Sequence, residues 1–306
     1  MNSAVVSGVT AVQQVETDVT GPSSSLHPAT DDSPFRPPRS DLRLRIVSSL
    51  VLVPAAAAVV FQGGMALAVA VMVIALLMAW EWGALVAASP ALRTKVRILL
   101  STLGLAVLAV TVAFSAGYGV LAAIGACAAA LVIGRSLGAR SGAWAAAAVM
   151  SMVIPAIALL WLRDRPSLGL ETVVWALATV AVVYVGAYAA GRTIGGPRLW
   201  PRISPSKTWA GLVGGAMAAV MFAGITVAVI GDARLVVLLP LAVVLALTAQ
   251  AGDLLESSVK RRFDVKDSGA LIPGHGGVLD RLDGQLTVLP MVAAAVWISG
   301  RSVLVW

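Results

Sequence analysis

From about Ile46 to the C-terminus the chain is a succession of long apolar runs separated by short polar clusters. A helix needs roughly 20 apolar residues to cross a bilayer, or fewer where long side chains at its ends reach back to the headgroups, so this pattern predicts a bundle of spanning helices. Nine are predicted, approximately Ile46 to Phe61, Met65 to Ala88, Ile98 to Ala116, Gly117 to Gly134, Gly142 to Leu162, Thr172 to Ala190, Trp209 to Ile230, Leu235 to Gln250 and Leu286 to Gly300. Only Ser-Ala-Gly-Tyr-Gly separates the third from the fourth, so a count of eight is the alternative. The fold class expected is therefore all-α, a polytopic membrane bundle with a charged hairpin between its last two helices.

Composition supports this: 59% of the residues are hydrophobic and 12% charged, outside the usage of a soluble globular chain. Residues 1–40 differ, being rich in Ser, Thr, Pro and Asp without apolar periodicity, and are expected to form a disordered cytoplasmic tail ahead of a membrane domain over 41–306. The tail lacks the basic start and apolar core of a secretory signal. Cys127 lies within an apolar run, so neither an intramolecular disulfide nor a cysteine zinc site is expected.

The net charge of +7 does not point to nucleic acid, because the basic residues recur as clusters between apolar runs rather than as one stripe. With a cytoplasmic N-terminus, every one of the 22 lysines and arginines except Arg163, Arg165, Arg234 and Arg301 falls on the cytoplasmic side. The positive-inside rule then predicts a multi-pass protein of the cell membrane with its N-terminus and charged hairpin in the cytoplasm. Trp80, Trp82, Trp161, Trp209 and Trp297 fall near span ends, where an indole suits the headgroup region.

Candidate chemistry is concentrated in residues 252–284. Of the fifteen acidic residues, Asp253, Glu256, Asp264, Asp267, Asp280 and Asp283 lie here, with His275 and five basic side chains. Asp253, Glu256 and Lys260 share a helical face, and Glu256 with Lys260 also suits an ordinary i,i+4 pair. Four conformationally special residues surround His275 in Pro273-Gly274-His275-Gly276-Gly277, which predicts a tight turn near something bulky or anionic. Asp280 and Asp283 share a face at the start of the last helix; they suit Mg2+ with nucleotide phosphates, or alone a helix dipole. Upstream, Ser204-Pro205-Ser206-Lys207-Thr208 offers hydroxyls and a lysine at a helix start, fitting either phosphate oxygens or a simple cap.

Taken together, Ser257-x-x-Lys260-Arg261, Lys266-Asp267 and Pro273-x-His275-Gly276-Gly277-x-x-Asp280-Arg281-x-Asp283 resemble the signature of the phosphatidate cytidylyltransferase (CDP-diacylglycerol synthase) family. Ile203-Ser204-Pro205-x-Lys207-Thr208-Trp209 is similar to its second motif, and Ala79-Trp80-Glu81-Trp82-Gly83 to a weaker one. The resemblance implies transfer of CMP from CTP to phosphatidic acid, yielding CDP-diacylglycerol and pyrophosphate, with Mg2+ as cofactor and membrane lipid around it. It assigns Asp267, Asp280 and Asp283 to the metal and to catalysis, with Lys266, His275 and Arg281 beside them. Substrate would be bound by Ser204, Lys207, Thr208, Lys260, Arg261, Gly276 and Gly277. Two places depart from the family's pattern: in Val183-Tyr184-Val185-Gly186-Ala187-Tyr188 many relatives carry an acid where this chain has Tyr184 or a neighbour, and Ala210 stands where a glutamate usually follows the Lys-Thr motif.

Other readings are a degenerate non-catalytic paralogue, a CDP-alcohol phosphotransferase, and a transporter or scaffold. The Asp-Gly-x-x-Ala-Arg pattern of the phosphotransferases is absent, and transporters place ionisable groups at mid-membrane, whereas nearly all charges here are in loops. Glu81 is the exception, and its flanking tryptophans predict an interfacial position. A homodimer is left open.

Overall fold

A computed structural model describes residues 42–230, 233–272 and 274–305. The tail expected over residues 1–40 lies outside the described residues, as does Pro273 of the glycine-rich run. Among the described residues there are nine α-helices: α1 (Leu42–Gln62), α2 (Gly64–Val86), α3 (Arg93–Ala113), α4 (Ala116–Ile133), α5 (Gly142–Arg163), α6 (Gly169–Thr193), α7 (Trp209–Ile230), α8 (Leu235–Arg262) and α9 (Leu279–Ser299). Eight are long and apolar enough to cross a membrane, and in α1 the apolar stretch is the shorter Ile46–Gln62. The third and fourth runs are separate helices, parted at Phe114 and Ser115.

Helices are the form these runs must take in lipid, where no water is present to satisfy a backbone N–H or C=O left unpaired. The side chains then sort by neighbour. Val149, Val173, Leu245 and Val292 are fully enclosed between helices, while Leu50 and Val53 of α1 and Met221 and Val229 of α7 face outward. Outward apolar side chains of this number would be a liability in water and are the normal surface of a protein in a bilayer.

Contacts between remote segments define two ends of the bundle. At one end, the Arg140 N–H donates to Val86 O (2.7 Å) and the Ala88 N–H to Gly138 O (2.8 Å), joining the C-terminus of α2 to the connection between α4 and α5. At the other, Arg163 Nε donates to Val60 O (2.7 Å), and the Thr172 and Ser302 hydroxyls lie 2.6 Å apart. The helices run alternately between these ends, so the starts of α7 and α9 and the end of α8 meet at the first one.

One agreement and one departure shape that end. As the helical spacing of Asp253, Glu256 and Lys260 and the placing of Asp280 and Asp283 at the start of the last helix predict, α8 continues through its charged residues to Arg262 and α9 begins at Leu279. Residues 198–208 fold as a small antiparallel hairpin of β1 (Arg198–Trp200) and β2 (Ser204–Thr208), with Arg198 opposite Thr208 and Trp200 opposite Ser204.

Candidate active site

Asp253 and Glu256 lie one helical turn apart on α8 and so project from the same face toward α9. α8 and α9 approach closely because residue 252 is glycine: a β-carbon there would stand 2.6 Å from the Asp283 carbonyl oxygen. This packing brings one carboxylate oxygen each from Asp253, Glu256 and Asp283 within 4.8 Å of one another. Asp283 Oδ1 accepts hydrogen bonds from the Tyr184 hydroxyl and from the Gly284 N–H, both at 2.7 Å.

Three carboxylates so close repel one another unless cations intervene. Lys207 pairs with Asp253, and Lys260 with Glu256 at 2.8 Å. Glu256 Oε1 is buried with no hydrogen-bond partner. A buried carboxylate oxygen costs free energy unless something satisfies it. An all-oxygen donor set with an orphaned, buried oxygen fits a hard divalent cation.

Asp280 serves a different purpose. Its Oδ1 accepts from Lys260 Nζ (2.6 Å), while its Oδ2 accepts from the Ser268 N–H (3.1 Å), the Ser268 hydroxyl (3.0 Å) and the Gly277 N–H (3.0 Å). Its side chain is only 7% exposed. Gly277 permits this fold of the loop, since a β-carbon there would lie 2.8 Å from both Asp280 Oδ2 and Glu81 Oε1. The first turn of α9 has no capping side chain of its own, because its N-cap residue is Val278. Glu81, on α2, supplies the cap: it accepts the N–H groups of Val278 and Leu279, each at 2.8 Å, and the Ser268 hydroxyl at 3.1 Å. A carboxylate at a helix N-terminus satisfies orphan donors and complements the dipole.

The β-hairpin closes another side. Thr208 caps α7 by accepting the Gly211 N–H at 3.0 Å, and Lys207 beside it reaches Asp253. Ser204 is buried, and Arg261 Nε donates to the neighbouring Ile203 carbonyl at 3.3 Å.

The structure thus brings together Lys207, Lys260 and Asp283 from the sequence-derived set, with Asp280 behind them. Asp267, half-buried, is not among the converging carboxylates, nor is Asp280, whose oxygens are engaged with Lys260, Ser268 and Gly277. Asp253 and Glu256 take those places, and the signal was their i,i+3 spacing on α8, the same spacing as Asp280 and Asp283 on α9. Lys266 is exposed. His275 lies against α1, its Nδ1 2.8 Å from the Ser48 hydroxyl and its Nε2 3.2 Å from that of Ser49. Arg281 Nε donates to the His275 carbonyl at 2.8 Å, and Gly276, at φ 90°, closes the turn by bonding with Ile272. Of segment 183–188 and Ala210, where the chain departs from the expected pattern, it is Tyr184 that touches the cluster.

Residues 43–299 match the model of the cytidylyltransferase family. The chain is 38% identical over 261 residues to proteins named phosphatidate cytidylyltransferase from Brucella suis and Brucella abortus, covering 84% of this chain and 91% of each relative. It is 40% identical over 149 residues, 48% of the chain, to one of the same name from Staphylococcus saprophyticus, of which 57% is covered. The converging carboxylates and lysines lie inside the matched region, and the chain belongs to the cytidylyltransferase family.

Proposed function

We propose that the chain transfers the cytidylyl group of CTP to phosphatidic acid, giving CDP-diacylglycerol and pyrophosphate in phospholipid synthesis. The observation that carries this reading is the convergence of Asp253, Glu256 and Asp283 with Lys207 and Lys260 at one end of a bundle of membrane-spanning helices. The names of the relatives from Brucella and Staphylococcus supply the substrates.

In the reaction, a phosphate oxygen of the lipid forms a bond to the α-phosphorus of CTP as the bond to the pyrophosphate oxygen breaks. No covalent enzyme intermediate is needed, so positioning and charge compensation supply most of the rate. Asp253, Glu256 and Asp283 would hold the divalent cation, for which Mg2+ is the choice, because it binds a few carboxylates and keeps positions for phosphates. When bound, it neutralises charge on triphosphate oxygens. The chain's own cations complement it: Lys207 and Lys260 border the cluster, while Arg261 at the end of α8, Lys266 on the loop and Arg281 at the start of α9 would contact phosphates. Ser204, Thr208, Gly276 and Gly277 act by shaping the loops, Thr208 as a helix cap and Gly277 by admitting the Asp280 carboxylate.

The end that carries the site faces the cytosol in this reading, since among the described residues it collects the arginines and lysines apart from Arg163, Arg165, Arg234 and Arg301. CTP then arrives from water and phosphatidic acid from the adjacent leaflet of the cell membrane. The test is pyrophosphate release by the detergent-purified protein. Release from CTP is expected only with phosphatidic acid and Mg2+ both present, and release without lipid or with chelator would refute the reading.

A further inference from the structure

A continuous line of buried polar contacts runs from α2 to the acidic cluster. Glu81 Oε2 accepts the Ser268 hydroxyl at 3.1 Å, the same hydroxyl stands 3.0 Å from Asp280 Oδ2, Asp280 Oδ1 accepts Lys260 Nζ at 2.6 Å, and Lys260 bonds Glu256 at 2.8 Å. A second branch is the cap itself, through which Glu81 fixes the first turn of α9, the helix that carries Asp280 and Asp283. We infer that Glu81 is a positioning residue for the divalent-cation site, acting through Ser268, Asp280 and Lys260 on Glu256 and through the α9 N-terminus on Asp283; this rests on reading the cluster as that site.

Glu81 is 1% exposed, and none of the ion pairs among the described residues includes it. A carboxylate kept in such a place by two backbone N–H groups and one hydroxyl, with no cation paired to it among the described residues, is costly unless the geometry it enforces is needed. Its partners Val278 and Leu279 are parts of the catalytic loop and α9, far from it in sequence, rather than parts of its own helix. Ser268 ties the branches together, since one hydroxyl proton stands between oxygens of two carboxylates. Moving Glu81 therefore moves Asp280, and Lys260 loses one of the two anions between which it is held.

Partners that orient a metal ligand from behind typically change metal affinity 10-fold to 100-fold when removed. Glu81→Gln keeps one acceptor oxygen and turns its amide toward the other N–H; Ser268→Ala leaves the helix cap intact and cuts only the side-chain branch. The experiment is a direct titration of the detergent-purified full chain with Mn2+, free ion being read from its electron paramagnetic resonance signal, with no substrate present. Both variants are expected to need roughly 10-fold more Mn2+ for half-saturation, and Glu81→Asp to recover part of the difference. Wild type binding Mn2+ with Ser268→Ala and Glu81→Gln unchanged would overturn the relay and leave the site standing. Should Glu81→Gln not fold, an unchanged Ser268→Ala still overturns the side-chain relay. Wild type failing to bind Mn2+ would remove the site and the relay together.

Discussion

The Tyr184 hydroxyl on α6 donates a 2.7 Å hydrogen bond to Asp283 on α9, which places a phenol directly on the cluster of Asp253, Glu256 and Asp283. A carboxylate at this position would add a further negative charge; a phenol instead offers a neutral donor and holds one Asp283 oxygen in place. Hydrogen bonds to charged groups are worth about 1.5–3 kcal/mol. Tyr184→Phe is expected to lower kcat about 10-fold with the fold retained, since the ring keeps its packing against the α6–α9 core. Steady-state kinetics at saturating CTP and lipid checks it, and wild-type kcat in the variant would show that the hydroxyl does not matter.

Asp253→Asn and Asp280→Asn separate the two possible sets of metal carboxylates. If Asp253 is a direct ligand, as proposed, and Asp280 an anchor for Lys260, Asp253→Asn should eliminate measurable Mn2+ binding. Asp280→Asn should weaken it roughly 10-fold while still lowering turnover. The opposite ranking would return the ion to the set of Asp267, Asp280 and Asp283 that the sequence motif suggests.

The membrane spans were legible because each must be apolar over a bilayer's thickness, a demand that acts on every residue of the run. Helix ends beyond the lipid obey no such demand. Apolar content fails after Gln250, and there the helical spacing of Asp253, Glu256 and Lys260 is what shows α8 running on, as it does to Arg262. The hairpin at 198–208 was hidden by Pro201 and Pro205, which read as loop. In the site, Lys207, Lys260 and Asp283 were recoverable from motif and spacing. Glu81 stood out in the Ala79-Trp80-Glu81-Trp82-Gly83 motif and as an ionisable residue within an apolar run, but its capping role was not legible: its partner N–H at Val278 is 197 residues away, and nothing local to Trp80-Glu81-Trp82 indicates a remote helix terminus.

Lys260 stands between Glu256 and Asp280, whose side chains are each 7% exposed. Removing one member of a buried charge cluster leaves the others uncompensated, at a cost of about 3–5 kcal/mol. Lys260→Met should therefore lower the apparent melting temperature in detergent substantially, and adding Glu256→Gln to it should recover part of the loss without restoring activity. An unchanged melting temperature for Lys260→Met would mean that water or detergent screens the group far more than its burial indicates.

The contact of His275 with Ser48 and Ser49 separates two roles for the histidine. The motif implies a phosphate contact, whereas the geometry docks the α8–α9 loop on α1, a helix most of whose described side chains face outward. A neutral imidazole has one donor and one acceptor nitrogen, and two serine hydroxyls can match either tautomer. If docking is the role, the double variant Ser48→Ala/Ser49→Ala should lose about fivefold in kcat, as expected for roughly 1 kcal/mol of hydrogen bonding. His275→Ala should lose a similar amount, and the triple variant no more than either, because all break one contact. Losses that multiply, or a serine variant at wild-type rate, would instead assign His275 to the substrate and leave α1 a lipid-facing helix without part in the site.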